Sequence, residues 1–326
     1  MDYVDLPDKT RRRLPFYLAM EEYLAREMVQ GKDLFFMWQV EPTVIFGRNQ
    51  VIDNEVNIDY CRANGIEMYR RKSGGGCVFA NMDNIMMSYI TDNDGPVATT
   101  FSRYTGMVTE MLRSLGLDAS DTSRNDILIS GRKVSGNAFY HIPGRSIVHG
   151  TMLFDTDRMA MAEAITPSKS KTQAKGVESV RSRVTTLSEH LTIGIEEFKA
   201  YVREHLCDST LKLTEADVAA IEEIERPYYT DQWIFRARSP KSARRCRRIE
   251  GVGEFQIDLT RDADGRIEDL DIAGDFFLVG DADSMLVDRL RGVAYDRKAV
   301  ADALEGFEVS DVVYGMTNEQ LIDLLF

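Results

Sequence analysis

Residues 70 to 77 read Arg70-Arg71-Lys72-Ser73-Gly74-Gly75-Gly76-Cys77, and the flanking runs 67–71 and 77–81 have the composition of strands. The chain must therefore hold a sheet whose strands open onto three consecutive residues without side chains. Glycine alone imposes no steric barrier to positive φ. Such a loop can wrap closely round an anionic or elongated ligand, its amide N–H groups pointing inward as an anion nest. Chemistry is expected there, and at Lys133-Val134-Ser135-Gly136 and His149-Gly150-Thr151 further along.

With 326 residues the chain exceeds one average domain, so a large domain with a small companion, or two of middling size, is expected. Its 44% hydrophobic and 29% charged residues predict a substantial core and a soluble surface. Cys61, Cys77, Cys207 and Cys246 are far apart and form no C-x-x-C pair, which argues against structural zinc and a disulfide scaffold, and for a reducing cytoplasm. The apolar stretch Leu14 to Met20 is broken by Glu21 and Glu22 before a secretory segment could form. No run approaches the roughly 18 apolar residues of a membrane span. A formal charge of -13 makes general nucleic-acid binding a poor reading, because duplex binding rests on neutralising phosphates. Exposed charges are screened beyond about 8 Å, so the basic clusters at 70–72 and 244–248 can still serve local sites.

Tyr17, Met20, Leu24 and Met28 recur at helical spacing before Gly31, and Phe101, Val108, Met111, Leu112 and Leu115 mark another helix ended by Gly116. Residues 34–40 and 43–47 read as short strands around Pro42, and the strands at 67–71 and 77–81 as sheet neighbours. After a strand at 126–129, residues 133–140 and 146–154 form a hairpin across Pro143-Gly144, which puts Lys133 and His149 on adjacent strands and near each other. Residues 167–185 read as a long functional loop, 195–206 and 214–226 as helices, and 233–238 as a strand. The cation-rich segment 239–248 reads as an interdomain linker, followed by a hairpin round Ala263-Asp264-Gly265 and helices at 285–291 and 297–304. Domains of 1–243 and 249–326 are expected.

There is no G-x-x-x-x-G-K-[ST], and the glycines do not form a G-x-G-x-x-G fingerprint. Taken together, Phe46-Gly47-Arg48-Asn49-Gln50, the 70–76 motif, Arg124-Asn125-Asp126, residues 131–136, His149-Gly150-Thr151 and residues 174–184 resemble the lipoate–protein ligase family in order and approximate spacing. Residues 264–277 resemble the family's accessory domain. The resemblance implies an α+β fold, with a mixed-sheet catalytic domain of the biotin/lipoate ligase type and a small α+β C-terminal domain. It also implies a two-step, ATP-dependent reaction: lipoate and ATP give lipoyl-AMP and pyrophosphate, and a lysine of an acceptor lipoyl domain then attacks the mixed anhydride.

Such chemistry brings two anions together and needs fixed cations and N–H donors. By the resemblance, Lys133 is the catalytic cation, with three hydrogen bonds to donate. Arg70, Ser73, Gly74, Gly75, Gly76 and His149 would bind lipoate. Gly75, Cys77, Asn125, Asp126, Lys133, Gly150, Thr151, Lys175, Gly176 and Val177 would bind ATP or the adenylate, with Asp126 also a ligand for Mg²⁺. Free lipoate or octanoate, and acceptor lipoyl domains of 2-oxoacid dehydrogenase complexes or the glycine cleavage H protein, are the implied partners, for a monomer that binds neither nucleic acid nor membrane. The arginines of 244–248 would offer a docking patch for an acidic acceptor.

The chain departs from the family pattern at Ala80, Asn81 and Asp83, where histidine, aspartate and glycine are usual. That departure keeps a non-catalytic lipoate-binding protein open as an alternative. Cys77 keeps open an ATP-independent octanoyl or lipoyl acyltransferase working through a thioester.

Overall fold

Helix α1 (Leu14–Glu27) carries Pro15 in its first turn, where a fixed φ and a missing N–H cost nothing, and every residue from Leu14 to Ala25 is buried. A helix apolar on one face would leave the other in water. This one is enclosed all round, so its two mid-helix carboxylates, Glu21 and Glu22, need internal partners.

The computed structural model describes residues 1–28, 31–93, 97–122, 125–165, 183–235, 245–280 and 282–326. Strands β1 (Asp2–Asp5), β2 (Leu34–Trp38), β3 (Thr43–Phe46), β4 (Glu67–Arg70), β5 (Val78–Ala80), β6 (Asn84–Asp92), β7 (Ala119–Asp121), β8 (Asp126–Ile129), β9 (Arg132–Ile142), β10 (Arg145–Leu153) and β11 (Ser209–Lys212) lie in the first part of the chain. Helices there are α1, α2 (Ile52–Glu55), α3 (Ile58–Ala63), α4 (Val97–Ser114), α5 (Arg158–Ala164), α6 (Ile195–Leu206), α7 (Glu215–Glu225) and α8 (Asp231–Phe235).

Eight strands form one mixed sheet in the order β11-β1-β2-β6-β10-β9-β8-β7, parallel across β11, β1 and β2 and antiparallel beyond. Strand β10 is buried at every position and β6 at all but its last, as central strands covered on both faces are, so their polar residues such as Ser88 and His149 need internal partners. The face bearing Phe36, Trp38, Met86 and Ile90 packs with α1 residues into one hydrophobic core.

A second sheet, β4-β3-β5, corrects the expectation that the strands flanking the glycines are neighbours. Strand β3 lies between them, parallel to β4 and antiparallel to β5. The sequence also misleads at Trp233, which lies on helix α8 rather than on a strand. Thr230 accepts the Trp233 amide with its side chain, a local turn that starts the helix.

The chain divides into two compact units. The first is Met1–Phe46, Ile52–Arg71 and Cys77–Ile234; the second is Gly47–Val51, Lys72–Gly76 and Phe235–Phe326. In the second, β12 (Arg245–Ile249), β13 (Gly253–Arg261) and β14 (Ile267–Asp275) form an antiparallel sheet, accompanied by helices α9 (Asp288–Leu290), α10 (Arg297–Ala303) and α11 (Asn318–Leu325). The basic run read as linker thus becomes edge strand β12 from Arg245 onward. Arg245 and Arg247 alternate to one side and donate to the carbonyls of Leu325 and Asp323, satisfying the C-terminal end of α11. Two of the arginines assigned to a docking patch are engaged in this way.

Candidate active site

Strands β9 and β10 form the expected long hairpin, and one irregularity in β9 decides where its lysine points. Along β8, Ile127 pairs with Ser135 but the next residue, Leu128, pairs with Lys133, leaving Val134 as an extra residue. A β-bulge bends its strand and re-aims the side chain beside it. In a regular strand, residues 133 and 136 would point to opposite faces. Here the Lys133 Nζ lies 2.7 Å from the place a Cβ on Gly136 would occupy, so both share one face.

Asp126 pairs directly with Gly136, and its Oδ1 lies 2.7 Å from Lys133 Nζ in an ion pair that lacks directional hydrogen-bond geometry. The two side chains are 36% and 30% exposed. A pair so wetted is worth at most about 1 kcal/mol, so a substrate anion can take the lysine from Asp126 at little cost.

Asn137, absent from the sequence-derived set, organises this corner. Its side-chain amide donates to Asn125 O at 3.0 Å, and Asn125 Nδ2 donates back to Asn137 O at 3.0 Å. Ser135 Oγ donates to Asn137 Oδ1 at 3.3 Å. The directly paired Gly150 leaves room for that oxygen, which sits 1.8 Å from where a Cβ at 150 would be. Thr151 pairs with Gly136, and its hydroxyl accepts the Gly136 N–H at 3.4 Å.

These contacts separate two substitutions. Gly136→Ala meets only the flexible tip of Lys133 and is expected to leave the unfolding midpoint within a few degrees while displacing the amine and cutting activity at least tenfold. Gly150→Ala meets a buried, hydrogen-bonded amide and is expected to cost about 1–3 kcal/mol. Denaturant titration and initial rates of both variants check the pair; equal effects on stability would contradict this geometry.

His149 pairs with Ala138 on β9 and Ser88 on β6. The hairpin thus does not hold it against Lys133, as adjacent strands alone had indicated. The two stand apart along the sheet, separated by roughly 15 Å of strand. His149 Nδ1 donates to Glu21 Oε2 at 2.8 Å, Ser88 Oγ to Glu21 Oε1 at 2.6 Å, and Trp38 Nε1 to Ser88 Oγ at 2.9 Å. Glu21 is fully buried and His149 is 5% exposed. This chain supplies the partner that mid-helix Glu21 requires and gives the Nδ1 a proton.

Arg70 is 1% exposed. Its Nε donates to Trp233 O at 3.0 Å and its Nη2 to Ile234 O at 2.9 Å, its guanidinium lies 4.8 Å from the Phe46 ring centre, and Trp233 Nε1 donates to Arg70 O. It thereby fastens α8 to β4. Cys77 is half-buried in the first unit.

Ser73, Gly74, Gly75 and Gly76 belong to the second unit, where Gly75 N donates to Phe276 O at 2.9 Å and Arg48 N to Ser73 O at 2.9 Å. A Cβ at Gly74 would meet Phe276 O at 2.2 Å, so this loop needs glycine for close backbone approach as well as for any ligand. Lys175, Gly176 and Val177 lie outside the described residues. The departures at 80–83 form a closed turn: Asp83 N donates to Asn81 Oδ1, Asn81 Nδ2 donates to Asp83 Oδ2, and Ala80 is buried beside β3. Among the described residues, no three His, Cys, Asp or Glu side chains are grouped to hold a metal ion, and no helix is long and apolar enough to cross a membrane.

The fold is thus mixed α+β, with a re-aimed lysine at one place on the sheet and a buried histidine network at another. Residues 14–207 match the lipoyl protein ligase A/B catalytic domain, and residues 241–325 match the bacterial lipoate protein ligase C-terminus. The chain is 35% identical to lipoate-protein ligase LplJ of Bacillus subtilis over 95% of its own length and 96% of the relative's. Among solved structures, it is similar to a bipartite lipoate protein ligase from Thermoplasma acidophilum studied with its E2 lipoyl domain, at TM-score 0.65 and 26% identity over 74% of this chain and 99% of that one. A lipoate-protein ligase A bound with ATP gives TM-score 0.62 at 25% identity, over 72% and 99%. The chain belongs to the lipoate–protein ligase family, and the ATP-dependent ligase chemistry expected from the sequence is that family's.

Proposed function

We propose that the chain activates lipoate with ATP to lipoyl-AMP, releasing pyrophosphate, and passes the lipoyl group to a lysine of an acceptor lipoyl domain. The observation that carries this reading is the bulge that turns Lys133 onto the face shared with Gly136 and Asp126. A carboxylate attacking an α-phosphate accumulates negative charge, and a lysine held by a weak ion pair can move to it as the charge develops. The separation between Lys133 and His149 suits an extended medium-chain acyl group, its carboxyl end at the lysine and its tail towards the histidine. Arg70, Ser73 and Gly74 to Gly76 complete the lipoate set in this reading. Asn125, Asp126, Gly150 and Thr151, with Cys77 and Lys175 to Val177, complete the adenylate set.

Asp126 would be the residue to hold Mg²⁺, an ion that favours carboxylate and phosphate oxygens. The ion would neutralise phosphate charge. Transfer needs the acceptor lysine placed against the anhydride, and positioning supplies much of that advantage. The T. acidophilum ligase was studied with its E2 lipoyl domain, which supports a lipoyl-domain acceptor here; acceptors in a 2-oxoacid dehydrogenase complex or a glycine cleavage H protein are the proposal. We assign catalysis to residues 1–243 and an accessory role to 249–326.

Pyrophosphate release with ATP, Mg²⁺ and lipoate, octanoate or biotin, run side by side, tests the reading. Lipoate is expected to drive release, octanoate to compete, and biotin to stay at background. Acyl transfer to a lipoyl domain at an undiminished rate without ATP would replace this scheme with the Cys77 thioester route. Lipoate binding without pyrophosphate release would leave only a binding protein.

A further inference from the structure

Beside the bulge lies a knot of side chains centred on Glu189. Arg132, the residue before Lys133, donates to Glu189 Oε2 at 3.0 Å, and Thr185 Oγ donates to the same oxygen at 3.1 Å. Arg158, in the first turn of α5, pairs with Glu189 Oε1 at 2.9 Å. Thr185 is fully buried and its hydroxyl also meets His190 Nε2 at 2.8 Å, which an Nε2–H tautomer satisfies as donor. The same stretch grips the backbone of the lysine: Thr185 N donates to Lys133 O at 2.8 Å, and Val184 bridges Lys133 in parallel.

One carboxylate therefore ties two pieces of chain, at Arg158 and Thr185, to Arg132 at the start of the strand where the extra residue sits. Burial alone would raise the Glu189 pKa, but its hydrogen bonds to Arg132 and Thr185 and the Arg158 and Arg132 charges outweigh it and hold the group below the ordinary carboxylate range. A single exposed ion pair contributes little; two guanidinium groups and a buried hydroxyl on one carboxylate define a geometry. A bulge is a local choice of register. Val134 is itself fully buried, which anchors the extra residue, so what the Glu189 contacts add is the placement of Arg132 and Thr185 on either side of Lys133.

We propose that Glu189 is a positioning residue for the activation step, holding Arg132 and Thr185 so that Lys133 stays on the site face. The proposal rests on the role given to Lys133 above. It makes Glu189 act on the rate of adenylate formation while leaving substrate affinity to other groups.

The test compares full-length wild type, Glu189→Gln, Arg132→Gln and Lys133→Ala in lipoate-dependent pyrophosphate release, with amide hydrogen exchange at residues 127–136 and 184–186. Glu189→Gln is expected to lower kcat ten- to thirtyfold, with KM for ATP and lipoate within twofold. Exchange should quicken locally, and the thermal midpoint should move by no more than a few degrees. Arg132→Gln should reproduce the same split. Unchanged kcat in Glu189→Gln, while Lys133→Ala is inactive, would overturn the clamp and leave the lysine's role intact. Wild-type release by Lys133→Ala would instead remove the reading on which the clamp depends. A large midpoint fall with kcat and KM both altered, and exchange raised throughout the sheet, would make Glu189 an ordinary structural residue and also overturn the proposal.

Discussion

Lys133→Ala is expected to lower lipoate-dependent pyrophosphate release by about a thousandfold, equivalent to roughly 4 kcal/mol of lost transition-state stabilisation. The loss should fall on kcat, because the amine leaves a weak ion pair with Asp126 to meet charge that exists only as the adenylate forms. Folding should be nearly unaffected. Both side chains of the pair are about a third exposed, and uncoupling them costs at most about 1 kcal/mol. Lys133→Arg is expected to rescue poorly, since a planar fork cannot replace a compact ammonium in the space over Gly136. Single-turnover release with saturating lipoate checks this, and a rate within tenfold of wild type for Lys133→Ala would move the catalytic role elsewhere.

Glu21→Ala is expected to destabilise the first unit by about 3–5 kcal/mol. Two buried donors, Ser88 Oγ and His149 Nδ1, lose their acceptor, each at about 1–3 kcal/mol, and the missing side chain leaves a void in a fully enclosed helix. Glu21→Gln keeps one acceptor oxygen and should cost appreciably less. Urea titration followed by tryptophan fluorescence measures both, with Trp38 itself joined to the network through Ser88. A Glu21→Ala midpoint equal to that of wild type would mean the site holds water in place of the carboxylate. His149 should lose its tautomeric preference with Glu21, so Glu21→Gln is also the more informative variant for lipoate affinity.

The parts of the fold that announce themselves in the sequence do so through periodicity and turn chemistry. Helix α6 falls at 195–206 as its apolar spacing requires, and Pro143-Gly144 closes the β9–β10 hairpin. Lys133, Asn125, Asp126, Gly150 and Thr151 enter the candidate set through the family resemblance, and strand pairing places Asp126 and Thr151 opposite Gly136. Asn137 is not legible, because its purpose depends on standing opposite Gly150, a cross-strand register no single strand encodes. Glu21 and Glu22 read as interruptions of an apolar stretch, although Leu18, Ala19, Met20, Leu24 and Ala25 on both sides of them are the signal in the sequence that the helix is enclosed. The arginines from 245 onward read as a solvated linker because cations seldom mark strands, and the helix end that Arg245 and Arg247 satisfy lies far along the chain.

Val134 is the residue on which recognition by motif would fail. A relative shortened by one amino acid between positions 132 and 136 could preserve every glycine, asparagine and lysine in order, align without complaint and build the same sheet, yet deliver its amine to the wrong side. On the role proposed for Lys133, counting residues across that step says more about catalytic competence than the presence of the lysine does.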